Sequence, residues 1–210
     1  MLRPLAIAAA TLTLAACGGQ GTIRDGGVIA ARSVCPQLAI PAGTGSVTLF
    51  DPAGSTASSA IDVTATITNL DGSCFEDSSS VVSTATFDVI ASRREAGPAR
   101  SLTLPIFNVA VQGGDAVVAK RIGQVTLNFA AGSLSAEAPG QATIRVNRSA
   151  TQLPPEIERE LTRRRDPGDV DAAIDPLSQP AVRAAVARAT FEQLVGFQLS
   201  GDQLRYNVTR

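Results

Sequence analysis

The sequence contains no histidine and no tryptophan, and it has a single tyrosine and a single methionine among its 210 residues. Without histidine the chain lacks the side chain that most often serves as a general base near neutral pH and as a metal ligand. The scarcity of large aromatic residues counts against a stacking platform for carbohydrates. Nucleophile-elbow, P-loop and dinucleotide-binding motifs are also absent from the sequence. We therefore expect a non-enzymatic protein with no catalytic residues, metal site or cofactor.

The charge of the chain is close to zero, with 18 Lys and Arg against 19 Asp and Glu. A chain of this kind has no general attraction for nucleic acid, and its cations are not gathered on one predicted element. Because aromatic residues are few, the core must consist mainly of Val, Ile, Leu and Ala. This composition favours β-sheet.

The first residues have the layout of an export signal. Arg3 is followed by a mostly apolar run, residues 5–16, which is too short to span a bilayer as a helix. The run ends in Leu14-Ala15-Ala16-Cys17, which resembles the lipobox of bacterial lipoproteins. The resemblance implies that residues 1–16 are a signal peptide, that the chain is cut before Cys17, and that the Cys17 thiol carries lipid. A chain with such an anchor is held to a membrane by the burial of acyl groups.

The residues after Cys17 predict where the protein is delivered. Gly18 stands where an inner-membrane lipoprotein usually has aspartate, so the resemblance implies the outer membrane, with the domain facing the periplasm. The stretch that follows is rich in glycine and poor in large apolar residues. We expect residues 17–40 to be a flexible tether.

Two further cysteines, Cys35 and Cys74, remain in the exported part of the chain. In an oxidising compartment such a pair usually forms a disulfide. A redox-active role is less favoured because the chain has no C-x-x-C motif. We predict a structural disulfide between them.

Residues 41–150 show the period of two that is typical of strands with one buried face. A turn is expected at 69–73, and Pro105 predicts an edge position or a bulge. Six or seven short strands in this length favour two antiparallel sheets packed face to face, an immunoglobulin-like β-sandwich in architecture only. The apolar positions that carry the pattern are Ile61, Val63, Ala65, Ile67, Ala85, Phe87, Val89, Ala91, Leu102, Leu104, Ile106, Val125, Leu127, Phe129, Ala142, Ile144 and Val146.

Residues 151–210 predict a C-terminal extension of two helices and a strand or hairpin. Prolines, then acids, then cations in 153–165 match a short helix. A second helix is expected from Ser178 to about Leu194, and the alternation in 204–208 predicts a strand.

The second predicted helix has two apolar faces, although an isolated surface helix needs only one. The first face could pack on the sandwich while the terminal segment covers the second, or the second face could dock a partner protein. The first face contains Val182, Ala185, Val186 and Ala189. The second, a candidate partner-binding face, contains Ala184, Ala187, Phe191 and Leu194.

Charged clusters add two weaker hypotheses. Arg93-Arg94 and residues 163–165 are candidates for contact with anionic lipid phosphates, although cations at the end of a helix also match its dipole. The acidic residues of segment 166–175 lack the spacing of an EF-hand loop, and we expect them to form turns and caps.

Two functions follow from these observations. The first is a lipid-anchored envelope protein that acts as a binding or scaffold subunit and contacts another envelope protein, through a free sheet edge or the second helix face. The alternative is a periplasmic accessory module that binds lipid or glycan in a groove between the sandwich and the helices.

Overall fold

The computed structural model describes residues 21–24, 27–30, 33–163, 165, 168–171 and 173–209. They divide into two compact units. The smaller unit comprises the described parts of 1–32 and 164–172, and within it β1 (Gly21–Arg24) and β2 (Gly27–Ala30) pair antiparallel. The larger unit comprises the described parts of 33–163 and 173–210.

The larger unit is mainly β, with three short α-helices near its C-terminus. Its strands are β3 (Gln37–Ala39), β4 (Ser46–Phe50), β5 (Ile61–Glu76), β6 (Ser80–Arg93), β7 (Arg100–Gln112), β8 (Ala116–Phe129), β9 (Ser135–Asn147) and β10 (Phe191–Phe197). Its helices are α1 (Pro155–Thr162), α2 (Pro180–Arg188) and α3 (Gly201–Thr209), with 3-10 turns at Ser58–Ala60, Arg148–Thr151 and Pro176–Ser178.

Two four-stranded sheets pack face to face, in the orders β3-β10-β7-β8 and β4-β5-β6-β9. Every pair is antiparallel except β3 and β10, which run parallel. This confirms the predicted antiparallel sandwich with a C-terminal extension of helices and a strand. The sandwich begins earlier than expected, because residues 37–39 of the predicted tether form its edge strand β3.

Alternation of apolar and polar residues explains why these segments form strands. On β6, Ala85, Phe87, Val89 and Ala91 are buried, while Thr86 and Ile90 between them are exposed. Phe87 lies so close to β9 that a Cβ on Gly140 would stand 2.2 Å from its ring. Only glycine fits at that position of the neighbouring strand.

The turn predicted at 69–73 is a β-bulge inside a longer strand. Thr68 pairs with Asp88 and Asp71 pairs with Thr86, so two residues of β5 stand opposite one residue of β6. Asn69 accepts the left-handed conformation that the bulge requires, with φ of 51°. The turn-forming composition is therefore accommodated without ending the strand.

Pro105 lies in an interior strand, contrary to the prediction of an edge or a bulge at that position. Its carbonyl accepts a hydrogen bond from Gln198 N just beyond the end of β10. Because the N–H and C=O of a strand residue point the same way, the missing N–H also faces this side, where β10 has already ended. Pro105 therefore costs the β7–β8 ladder no hydrogen bond.

The C-terminal predictions are partly wrong. Helix α1 is present within the predicted 153–165, but α2 ends at Arg188 and the chain continues as strand β10. From Phe191 the buried positions follow a period of two, and they fill the gap between β3 and β7. The terminal segment, expected as a strand, is helix α3.

Helix α3 packs on the start of the sandwich through Tyr206, Asn207 and Val208. The ring of Tyr206 meets Phe50 edge to face at 5.1 Å. Asn207 Nδ2 donates to the carbonyls of Gly43 and Ser46. Val208 packs against Gly43, whose φ of 77° and close neighbours both require glycine.

A buried polar network crosses the interior and joins the two sheets. Gln193 on β10 is fully buried, and its Oε1 accepts from Ser83 Oγ on β6 at 2.7 Å. Its Nε2 donates to Asn108 Oδ1 on β7 and to the carbonyl of Ala142 on β9. The network joins β7 and β10 of one sheet to β6 and β9 of the other and fixes how the sheets are aligned.

Replacing Gln193 with leucine is expected to lower the free energy of unfolding by about 3 kcal/mol, because it removes the partner of the buried Ser83 hydroxyl and of Asn108 Oδ1, together with one bond to the carbonyl of Ala142. Urea denaturation measures the loss. Gln112→Leu is the matched control: it removes one bond to the carbonyl of Arg188 at a half-buried position, and we expect a loss below about 1 kcal/mol. Equal losses in the two variants would contradict a special role for the network.

Candidate functional site

The predicted lipidation site, Cys17, lies outside the described residues. The predicted disulfide is present: Cys35 and Cys74 are joined, with their Cα atoms 6.0 Å apart. It ties the segment that enters β3 to strand β5. Its role is structural, because it fixes the edge strand to the body of the sandwich.

The predicted partner-binding face does not exist as a helix face. Ala184 is exposed and Ala187 half-buried on α2, whereas Phe191 and Leu194 lie on strand β10. Phe191 is only 5% exposed and belongs to a small core cluster with Val81, Ala110, Ile144 and Val146. Phe191 is therefore a core residue, and α2 has one buried face, formed by Val182 and Ala185 with its C-cap residue Ala189.

The hypothesis that Arg93 contacts lipid phosphates is also wrong. Arg93 is 7% exposed, and its guanidinium donates to the carbonyls of Ser133, Pro98, Gly97 and Ala130. It also lies over the ring of Phe129, 5.3 Å from its centre. These bonds join the 94–99 and 130–134 loops.

The acidic segment contributes caps and an ion pair. Asp175 Oδ1 accepts from Leu177 N at the start of a 3-10 turn, as expected for a capping residue. Asp171 pairs with Arg165 at 3.6 Å within the smaller unit. Among the residues that the structure describes, no group of three or more Cys, Asp or Glu is arranged to hold a metal ion.

The most unusual surface of the sandwich is the first part of β8, residues 116–124, which we call the β8 edge. Strand β8 lies at the end of its sheet, and all nine residues of the β8 edge are exposed. They include three large apolar side chains: Val117 is 62% exposed, Ile122 52% and Val118 48%. Exposed apolar residues on an edge strand are typical of a surface that receives another strand.

The side to which the N–H and C=O groups of the β8 edge point follows from the pairing of β7. Since Pro105 offers its carbonyl to the β10 side, its partner Gln124 must direct its own N–H and C=O away from β7. By alternation, Ile122 and Lys120 also direct theirs outward. Three residues therefore direct main-chain donors and acceptors outward in a row.

A β-bulge ends this row. Val117 pairs with Val111 and Ala119 with Ala110, so Val118 is an extra residue on β8. The regular part of the β8 edge is therefore 120–124, about 16 Å long at the usual rise of a strand.

Two cations lie in this regular part. Lys120 Nζ stands 6.0 Å from the ring centre of Phe107, which lies on the same outer face of the sheet. Arg121 pairs with Asn108, and both side chains lie on the face opposite to that of Lys120. Among the described residues neither cation forms an ion pair.

The other sheet edges are less suited to pairing. Strand β3 has three residues and β4 has five. Strand β9 is long, but Pro139 near its centre faces away from β6 and has no N–H to offer a further strand. Proline and short length are the usual means of preventing edge-to-edge association.

A concave surface lies where α3 meets β4, apart from the β8 edge. This groove has a volume of about 810 Å³ and is lined by apolar side chains such as Leu49, Phe50 and Tyr206, together with polar groups of loop 53–56. Asp62 and Arg100 lie in the groove as a doubly hydrogen-bonded ion pair, at 2.9 and 2.7 Å. The bond from Arg100 lowers the pKa of Asp62, and the same bond raises the pKa of Arg100.

Asp77 shows the strongest resolved shift, in the turn between β5 and β6. Main-chain N–H groups of Ser79 and Ser80 donate to its carboxylate and lower its pKa to about 2. These bonds favour the charged form, so they stabilise the fold above the ordinary pKa of 3.8 and are lost as the pH falls toward 2.

We therefore expect the denaturant midpoint of the wild type to be lower at pH 2 than at pH 4. The decrease should be smaller in Asp77→Asn, because its amide cannot be protonated in this range. Denaturation followed by circular dichroism at both pH values measures the difference. A variant with the same acid dependence as the wild type would contradict the assignment.

No helix among the described residues is both long and apolar enough to cross a bilayer. Comparisons with known proteins found no matching family model, curated protein or solved structure.

Sequence reasoning missed the β8 edge, although a signal was present. Residues 116–122, Ala-Val-Val-Ala-Lys-Arg-Ile, do not alternate, and two adjacent cations follow an apolar run. From Val125 onward the alternation returns, and there the buried positions of β8 begin.

Proposed function

We propose that the protein is a lipid-anchored, non-enzymatic subunit of the bacterial envelope that binds another envelope protein through the β8 edge. The observation that carries the proposal is the β8 edge itself: a row of outward main-chain groups beside exposed Val117 and Ile122. Strand addition to such an edge gains main-chain hydrogen bonds and covers apolar side chains.

Two further observations support the location. The Leu14-Ala15-Ala16-Cys17 sequence resembles a lipobox, and an anchor there would hold the domain at the periplasmic face of the outer membrane. The Cys35–Cys74 disulfide belongs to an oxidising compartment such as the periplasm. The absence of histidine from the sequence favours binding over catalysis.

The test is photocrosslinking in the producing bacterium, with a benzophenone amino acid in place of Ile122. We expect one discrete adduct with an envelope protein, absent when the same probe replaces Arg183, an exposed residue of α2. Cys17→Ser should weaken the adduct because the domain is no longer held at the membrane. The same adducts from both probe positions would contradict the proposal.

The groove between β4 and α3 favours a second function, binding of a lipid or glycan. It has the volume of a small-molecule site and combines Leu49 and Tyr206 with the Asp62–Arg100 pair. Native mass spectrometry of the protein purified from its own envelope tests this function. A bound lipid or sugar that is lost in Leu49→Glu would support it, and a ligand-free protein would contradict it.

A further inference from the structure

We propose that the β8 edge recognises an extended segment of its partner that carries two adjacent acidic residues next to an apolar residue. This inference rests on the proposed function, because it specifies the segment that the β8 edge binds. It is carried by the order of the side chains at 120–122 and by the outward orientation of the main-chain N–H and C=O groups there.

The main chain determines where the segment lies. Lys120, Ile122 and Gln124 direct their N–H and C=O groups away from β7, and the bulge at Val118 ends the regular row. An added strand therefore forms its hydrogen-bonded pairs with these three residues. A shift by one residue would place its donors and acceptors opposite groups already bonded to β7.

The side chains determine what the segment contains. Lys120 and Ile122 lie on the outer face, with Phe107 and Val109, whereas Arg121 lies on the opposite face. In an added strand, a residue directly opposite shares the face of its partner. An acidic residue opposite each cation forms two ion pairs, and an apolar residue opposite Ile122 covers it. Read antiparallel to β8, the segment is apolar-acidic-acidic.

A second copy of the chain fits the β8 edge less well. Two-fold pairing about Ile122 places Lys120 opposite Gln124 and Arg121 opposite Gly123 of the other copy. Such a dimer brings four cations to one ladder without supplying an acid to any of them. Charge complementarity therefore favours an acidic segment over self-association.

The test uses the full chain and a fluorescent peptide, Thr-Gly-Val-Glu-Glu-Val-Thr, with blocked ends. We expect the wild type to bind it at least tenfold more tightly than the same peptide with Lys-Lys in place of Glu-Glu. Methylation of the main-chain nitrogens of the first valine and the second glutamate should weaken binding at least tenfold, because those nitrogens face β8.

Variants of the protein separate charge from backbone pairing. Lys120→Glu combined with Arg121→Glu should reverse the preference, so that the Lys-Lys peptide binds more tightly. Gln124→Pro removes an outward N–H but no bond to β7, and it should weaken both peptides while keeping the preference. Arg183→Glu combined with Arg188→Glu changes the net charge equally at exposed positions of α2, and it should alter affinity less than twofold.

Several outcomes would overturn the inference: no binding of the Glu-Glu peptide, equal binding of the methylated peptide, or a wild-type dimer that Gln124→Pro dissociates. Thermal unfolding of each variant confirms that it folds, and the peptide series tests the unchanged wild type in any case. If the peptides do not bind while the crosslinked adduct from position 122 persists, the inference of an acidic segment is wrong and the proposed function stands. Loss of both would overturn both.

Discussion

Arg93→Met is expected to lower the free energy of unfolding by about 5 kcal/mol, the largest effect of any single substitution considered. The guanidinium of Arg93 is buried and donates to four main-chain carbonyls. Methionine fills a similar volume but removes all four of these bonds. The carbonyls of Gly97 and Ala130 keep a main-chain donor. The loss therefore comes from the bonds themselves, because a hydrogen bond from a charged group contributes about 1.5–3 kcal/mol. Urea denaturation at neutral pH measures the loss.

The neighbouring cation supplies the control. Arg94 is exposed, donates to the carbonyl of Ser59 and pairs with Glu95. Contacts of this kind at the surface contribute less than about 1 kcal/mol, so Arg94→Met should be nearly neutral. Arg93→Lys should be intermediate, because an ammonium has three donors and no planar fork. A loss below about 1 kcal/mol for Arg93→Met would contradict the role assigned to the buried cation.

Removal of the disulfide by Cys35→Ser with Cys74→Ser is expected to lower the free energy of unfolding by about 4 kcal/mol. The bond closes a loop across a sequence separation of 39, and the chain-entropy model assigns an effect of this size to such a loop. The loss should begin at β3, the three-residue edge strand that follows Cys35. Hydrogen exchange at 37–39 is therefore expected to rise before global stability is lost.

A reducing agent provides the matched comparison for the disulfide. It should lower the stability of the wild type to that of the double variant and leave the variant unchanged. Wild-type protein that keeps its full stability under reduction would show that the disulfide contributes little.

The central strands could be predicted because their patterns had one interpretation. In β6, small and apolar residues alternate with Thr86, Asp88 and Ser92, and no helix face accommodates that order. The bulge at Asn69 could not be predicted, because a residue that tolerates positive φ is equally suited to a turn. Only the partner strand β6 determines which of the two forms.

The C-terminal region was ambiguous for a related reason. The segment from Pro180 to Leu194 is rich in Ala and Val, and its apolar residues satisfy a helix period as well as the strand period that begins at Phe191. Tertiary pairing decided the outcome, because β10 fills the place between β3 and β7. In α3, Leu204 and Val208 fit both periods, and the contacts with Gly43 and Phe50 favour the helix.

The candidate site depends on features that a single sequence does not contain. That Phe191 is core and Ile122 is exposed follows from which strands are neighbours in the sheet, and not from hydrophobicity. The two cations of the β8 edge are visible in the sequence, and their adjacency in a strand already places them on opposite faces. Which of them lies on the outer face follows only from the register with β7.

The measurement that tests the central claim most directly is mass spectrometry of the N-terminal peptide of the protein isolated from its own envelope. We predict a chain that begins at Cys17 and carries acyl groups on that residue. A chain that still contains residues 1–16, or one with an unmodified Cys17 thiol, would contradict the membrane anchor and the envelope function built on it.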